Sequence, residues 1–301
     1  MCGQWHRVVK SALIAASLWT VSCICLDTQP LRSASYFFPG LTEDQINWIT
    51  TITFDVNDFA ESRITADELT SRYKRFGRAA EIRVLPDIQT SYLLVTDHVL
   101  RRQTVVMPGT INEANLASDL DMVLTPDDEL NIQVHRGYQL NAQAIRNDLR
   151  GRLSYLYPVW LSGFSLGGAT SVLLGGYLQS EGFYIENITT YGQPKVTDHD
   201  GAAVLNRRLP IHRLIAGDDP VTTFPGLPFA HCGDAVILLD GPNIVRLIYG
   251  TEEYEQYDAL ALPLTEATFQ VHITYVDRVK SKLDASVGEI AFDSRGCYLG
   301  L

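Results

Sequence analysis

The sequence predicts an α/β fold, with a mostly parallel central sheet and helices on both faces. Three observations carry that expectation. Short apolar runs alternate with segments of helical periodicity. The 301 residues are 46% hydrophobic, enough to fill one sizeable core. Third, Gly163-Phe164-Ser165-Leu166-Gly167 stands between an apolar run at 159–162 and a run at 167–174 that is small, then apolar. That is the pattern of a buried strand passing through a tight turn into a helix packed closely on a sheet.

Arg7 and Lys10 precede a nearly continuous apolar and small run at 11–26. At about sixteen residues it is short for a membrane span and right for a signal h-region. Residues 1–26 therefore read as a signal peptide or N-terminal anchor, and 27–301 as a single domain. The expected address is secreted or periplasmic. Thr20-Val21-Ser22-Cys23 weakly resembles a bacterial lipoprotein cleavage box, which would make Cys23 an anchor point.

Residues 30–40 read as a lead-in loop, and 41–76 as two or three helices over the sheet edge. Strands are expected at 92–95, 104–107 and 130–135. A helix is expected at 139–156, with Leu140, Ile145, Leu149 and Leu153 on one face. After the Ser165 turn, 187–191 and 211–215 continue the sheet. Residues 235–239 and 243–248 read as a hairpin about Asp240-Gly241-Pro242-Asn243, and 271–283 closes the chain as a helix. No repeat or low-complexity stretch interrupts this order.

Chemistry enters at Ser165. A serine on a strand-to-helix turn projects its hydroxyl away from the backbone, and the helix start offers free N–H groups to an anion. A serine hydroxyl needs a base, and the base needs an orienting acid. On such a turn the chain order is serine, acid, histidine. The best acid lies in Gly217-Asp218-Asp219-Pro220, where an apolar run ends. Pro220 biases Asp219 toward an extended conformation, while Asp218 could cap the turn. Two histidines follow, His231 on a turn and His272 before the last helix. Position favours His272, since separate strands could then deliver the two groups to one edge.

Five segments in co-linear order together resemble the class 3 (fungal-type) triacylglycerol lipases. Gly-Phe-Ser-Leu-Gly-Gly-Ala is similar to that family's G-H-S-L-G-G-A, and Thr190-Tyr191-Gly192-Gln193-Pro194-Lys195-Val196 to its T-F-G-Q-P-R-V. Val134-His135-Arg136-Gly137-Tyr138 is similar to its V-H-x-G-F. Gly217 to Val221 resembles the family's acid loop, and His272-Ile273-Thr274-Tyr275 its H-x-x-Y. The resemblance implies an α/β-hydrolase fold with Ser165, Asp219 and His272 as the triad, and gives His231 a structural position. It also makes 104–110 the strand that ends in the oxyanion turn, with Thr110 and the backbone N–H of Leu166 as donors. Residues 111–120 would form a lid, and Asp119 would steady the oxyanion residue. Three positions depart from the family pattern: Phe164 replaces a histidine, Pro108 an arginine and Leu116 a tryptophan.

The implied activity is that of a serine carboxylester hydrolase, foremost a triacylglycerol lipase. Phospholipase A1, a feruloyl or short-chain esterase, and a catalytically silent lipid-binding module are the alternatives. The net charge of −11 and the pI near 5.0 disfavour nucleic acid and fit a neutral lipid or ester substrate, met at a lipid–water interface. No H-E-x-x-H, P-loop or paired C-x-x-C is present, so no metal or cofactor is expected. Of the five cysteines, Cys232 and Cys297 remain after leader removal, with Cys25 depending on the cleavage site. Cys232–Cys297 or Cys25–Cys297 bridges, or free buried thiols, all fit an exported chain.

Overall fold

The computed structural model describes residues 40–110, 122–284 and 287–292. The leader with Cys23, the 111–120 segment with Leu116 and Asp119, and Cys25 and Cys297 lie outside these residues.

Helix α1 (Glu43–Ala60) starts at a capping box: Thr42 accepts from the Gln45 N–H, and the Gln45 side chain accepts from the Thr42 N–H. Its buried stripe includes Ile46, Ile49, Thr53 and Val56, at helical spacing. A second capping box, Thr65 with Glu68, opens α2 (Ala66–Tyr73). Strands β1 (Arg78–Leu85), β2 (Thr90–Asp97) and β3 (Arg102–Met107) follow as an antiparallel run. β4 (Leu124–Asp127) and β5 (Ile132–His135) lead into α3 (Arg136–Leu149). β6 (Val159–Phe164) feeds α4 (Leu166–Ser180), then come β7 (Ile185–Tyr191), β8 (Thr197–Asp198) and α5 (His199–Arg208). β9 (Ile211–Ala216), β10 (Phe229–Ala230), β11 (Asp234–Leu238) and β12 (Asn243–Leu247) precede α6 (Glu252–Asp258). A short α7 (Glu266–Phe269), a 3₁₀ turn at Gln270–Ile273, α8 (Tyr275–Leu283) and β13 (Gly288–Glu289) complete the order.

The main sheet has nine strands in the order β1-β2-β3-β6-β7-β9-β11-β12-β13. Neighbours from β3 to β11 are parallel, while the β1–β2, β2–β3 and β11–β12 pairs are antiparallel. Side chains alternate between its faces. Leu161 joins the core under α3, α4 and α5, while its neighbour Trp160 joins the core under α1 and α8. α6 closes a third cluster over β9, β11 and β12, through Tyr254 and Tyr257. This is the α/β-hydrolase architecture, with helices on both faces of a mostly parallel sheet. No helix among the described residues is long and apolar enough to cross a membrane.

Several elements differ from expectation. The strand expected at 130–135 forms as β5, but in a second, four-stranded sheet ordered β10-β8-β5-β4. The helix expected at 139–156 runs from Arg136 to Leu149 instead. The His135 side chain caps its start, and Gly151 turns the chain at φ +75° just beyond its end. Its buried row is Tyr138, Ala142, Ile145 and Leu149, so Leu140 lies off the row and faces solvent. β1 was not anticipated, because Glu81 and Arg83 interrupt its apolar pattern, as befits an edge strand. The last helix begins at Tyr275 rather than 271, which leaves His272 on the 3₁₀ turn ahead of it. Cys232 carries a free, buried thiol, and Cys297, its expected bridge partner, lies outside the described residues. Burial pushes that thiol up to about 12.

Candidate active site

Ser165 sits between β6 and α4 with φ +53° and ψ −122°, a region that non-glycine residues rarely occupy. The contacts around it require the strain. A Cβ on Gly163 would lie 2.2 Å from the Gly167 backbone, and a Cβ on Gly167 would lie 2.3 Å from the Pro108 carbonyl oxygen. Strand, helix and the turn after β3 thus meet at backbone contact, with the serine on the sharp turn between them. Its N–H donates to the Tyr191 carbonyl at 2.8 Å, and its own carbonyl accepts from Gly168 and Ala169.

Asp219 lies just past the end of β9 and is fully buried. Its Oδ1 accepts from the Val221 N–H at 3.0 Å and so caps the 3₁₀ turn Pro220–Thr223. Its Oδ2 meets His272 Nδ1 at 2.7 Å and accepts from the Tyr275 hydroxyl at 2.5 Å. Burial, then the neighbouring carboxylate, raises the Tyr275 hydroxyl well above its ordinary value, which keeps it a donor. With Nδ1–H directed at the carboxylate, Nε2 carries the imidazole lone pair. Nε2 is buried and makes no hydrogen bond, so the Ser165–His272 link is not closed in this structure. The ring is nonetheless held beside the serine turn, since Phe164 stacks on His272 with centroids 4.5 Å apart. Gly192, next to the Ser165 acceptor Tyr191, lies against both His272 and Asp219.

The remaining expected residues fall around this point. Thr110 is half-buried at the end of the turn after β3. Leu166 opens α4, so its N–H is among the first-turn donors without an intrahelical acceptor. Asp119 lies outside the described residues. Of the two neighbouring aspartates, Asp219 is the one hydrogen-bonded to His272. His231 is not brought to Asp219: its Nε2 bonds the Thr222 carbonyl. Burial, then Arg213 and Lys195, holds its pKa well below the ordinary histidine range. Thr222 in turn donates its hydroxyl to the Asp219 carbonyl at 2.8 Å, so His231 braces the acid loop from behind. Among the described residues no group of His, Cys, Asp or Glu could hold a metal.

Three contributors were missed in the sequence. Tyr275 stood in the quoted H-x-x-Y segment without a role, three residues beyond His272 and so one turn away. Gly192 stood in a quoted segment without a role. Asn57, on α1, accepts a hydrogen bond from the Gly109 N–H, and the sequence carries no sign of that contact.

The model of the family "Lipase (class 3)" matches residues 104–229. The secreted mono- and diacylglycerol lipase 1 of Fusarium solani is 26% identical over 146 residues, which cover 46% of this chain and 44% of that protein. This chain thus matches less than half the length of that relative. Among solved structures, the Rhizomucor miehei triacylglyceride lipase is similar at TM-score 0.63 and 18% identity, covering 81% of this chain and 98% of that one. A lipase from Rhizopus microsporus var. chinensis gives TM-score 0.62 at 20% identity, covering 78% of this chain and 88% of the other. These structures share the fold, and the matched span carries the serine turn, the Thr110 turn and Asp219. Residues 104–229 are thus similar to the class 3 lipase family.

Proposed function

We propose that the chain is a serine carboxylester hydrolase acting on acylglycerols, a triacylglycerol lipase in its simplest form. The observation that carries this reading is the buried Asp219–His272 pair stacked against the strained Ser165 turn. In the proposed reaction Ser165 Oγ attacks the ester carbonyl carbon while His272 Nε2 takes the hydroxyl proton. The carbonyl oxygen becomes an oxyanion held by the N–H groups of Thr110 and Leu166. His272 then protonates the leaving alcohol oxygen as the C–O bond breaks, which leaves the acyl group on Ser165. Water attacks that ester with His272 again as base and frees the acid. Asp219 keeps Nδ1 protonated and balances the imidazolium, with Tyr275 fixing the carboxylate.

The name of the Fusarium relative supports acylglycerols over other esters. Its description as secreted, together with the apolar leader, supports export. Phospholipase A1 and short-chain or feruloyl esterase activities share this chemistry and differ only in the acyl groove. The test is hydrolysis of p-nitrophenyl esters of rising chain length, beside triglyceride and phospholipid emulsions, with fluorophosphonate labelling. Ser165→Ala is expected to abolish labelling and to lower kcat by roughly 10⁶-fold. A wild-type protein that neither labels nor hydrolyses any of these esters would leave the silent lipid-binding module as the reading.

A further inference from the structure

β3 ends at Met107, paired with Gly163. Pro108 has no N–H, so the Gly109 N–H is the one backbone donor between the strand end and Thr110. Gly109 is buried, and an unmet donor there would carry its full desolvation cost. That N–H donates to Asn57 Oδ1 at 3.1 Å, across 52 positions of sequence. Asn57 lies on the buried face of α1. Its Nδ2 donates to Glu61 Oε1 at 2.5 Å, one helical turn on. A carboxylate only accepts, so Glu61 determines which way the Asn57 amide faces: nitrogen to Glu61, oxygen to Gly109. Glu61 is itself ion-paired with Arg63. On its other side the turn touches the serine, since a Cβ on Gly109 would lie 3.2 Å from Ser165 Cβ and 2.9 Å from Phe164 Cδ1.

We propose that Asn57 is a positioning residue of the oxyanion site, oriented by Glu61. It tethers Gly109 so that the next residue, Thr110, stands ready for the developing oxyanion. The inference rests on the hydrolase reading and deepens it. Asn57 touches no reacting atom. Its effect is geometric, because oxyanion donors work by being in place before charge develops. A displacement near 1 Å can lower a rate by about 100-fold. Pro108 sharpens the need: a residue with an N–H there could have offered a second anchor, and proline cannot.

The experiment compares wild type, Asn57→Ala and Glu61→Ala in three readouts. These are kcat and KM on a soluble p-nitrophenyl ester, the inhibition constant of an alkyl trifluoromethyl ketone, and the final extent of fluorophosphonate labelling. The ketone forms a tetrahedral adduct whose oxygen occupies the oxyanion position, so its affinity reports that geometry. For Asn57→Ala, kcat is expected to fall roughly 10- to 100-fold with KM nearly unchanged. The inhibition constant should rise by the same factor while final labelling matches wild type. Glu61→Ala should move the same way, by less. The proposal is overturned if kcat and the inhibition constant of Asn57→Ala stay at wild-type values. It is equally overturned if lost activity is matched by a lost labelled fraction, which is what a merely unfolded site would give. A wild-type protein without labelling or hydrolysis is a different outcome: it removes the hydrolase reading, and this inference with it.

Discussion

At Gly192 the backbone turns through φ +59°, and an added Cβ would lie 2.5 Å from His272 Cε1 and 3.0 Å from Asp219 Oδ2. Both side chains are fully buried and cannot swing aside. Gly192→Ala is therefore strained twice, by its left-handed backbone and by the imidazole. We expect kcat/KM to fall at least about 100-fold, since His272, the proposed base, moves off line, with a lowered melting temperature. Ester hydrolysis beside a thermal melt checks this, and a variant with wild-type kcat would refute the packing argument. The same scale explains Asp219. Its two oxygens accept from a backbone N–H, an imidazole and a phenol, so the carboxylate has one orientation in which every partner is met.

Among the elements, α3 is tied to the first two strands of the sheet through one carboxylate, in addition to its buried row. Asp148, in its last turn, accepts two bonds from Arg83 of β1, at 2.8 and 2.9 Å, and one from Tyr92 of β2 at 2.5 Å. The Arg83 hydrogen bonds foremost, aided by Tyr92, hold its carboxyl down at about 2, from an ordinary 3.8. A carboxyl whose pKa is lower folded than unfolded stabilises the fold above its unfolded value, and loses that contribution as pH falls toward the folded one. Asp148→Asn should thus lower the melting temperature at neutral pH. The gap from wild type should close between about pH 4 and pH 2. A gap constant across that range would show that the ionised form does not matter. α1 also acts on the site through aromatic packing. Phe54 packs against Phe164, Tyr191 and Tyr275, so the helix covers the back of the serine turn with aromatic surface.

Over the whole molecule, one buried ion pair joins segments far apart in the chain. Lys195 Nζ lies 3.6 Å from Asp258 Oδ1 and donates to the Asp258 carbonyl at 2.6 Å. The His231 N–H reaches Asp258 Oδ2 at 3.4 Å. The loops after β7, before β11 and at the end of α6 therefore close on a single carboxylate behind the acid turn. Burial depresses Lys195, a cost offset in part by its carboxylate partner. Removing one member strands the other in low dielectric. Asp258→Ala is expected to cost about 3–5 kcal/mol in denaturant unfolding, and Lys195→Met a similar amount. A loss below about 1 kcal/mol in both would mean the pair is solvated and does not hold these loops together.

The serine turn was legible because its signals are local. Gly163, Ser165 and Gly167 stand within five positions, and the strand and helix beside them show in period and side-chain size. The choice between Asp218 and Asp219 came from Pro220 and the family pattern, again near neighbours. The antiparallel second sheet was not legible: four-residue strands carry too little pattern to declare a partner. The same holds for α5 and α6, whose starts rest on single caps at Asp198 and Thr251. By itself the sequence determined the alternation of elements and the strained serine turn, since each depends on neighbours along the chain. Only the tertiary structure decided that Asn57 holds Gly109 across 52 positions and that Tyr275 shares the Asp219 carboxylate with His272, while the Asp219–His272 contact across 53 positions is the one the resemblance implied. Contacts at that separation follow from how the packed sheet and helices fill space, and no local run of residues encodes them.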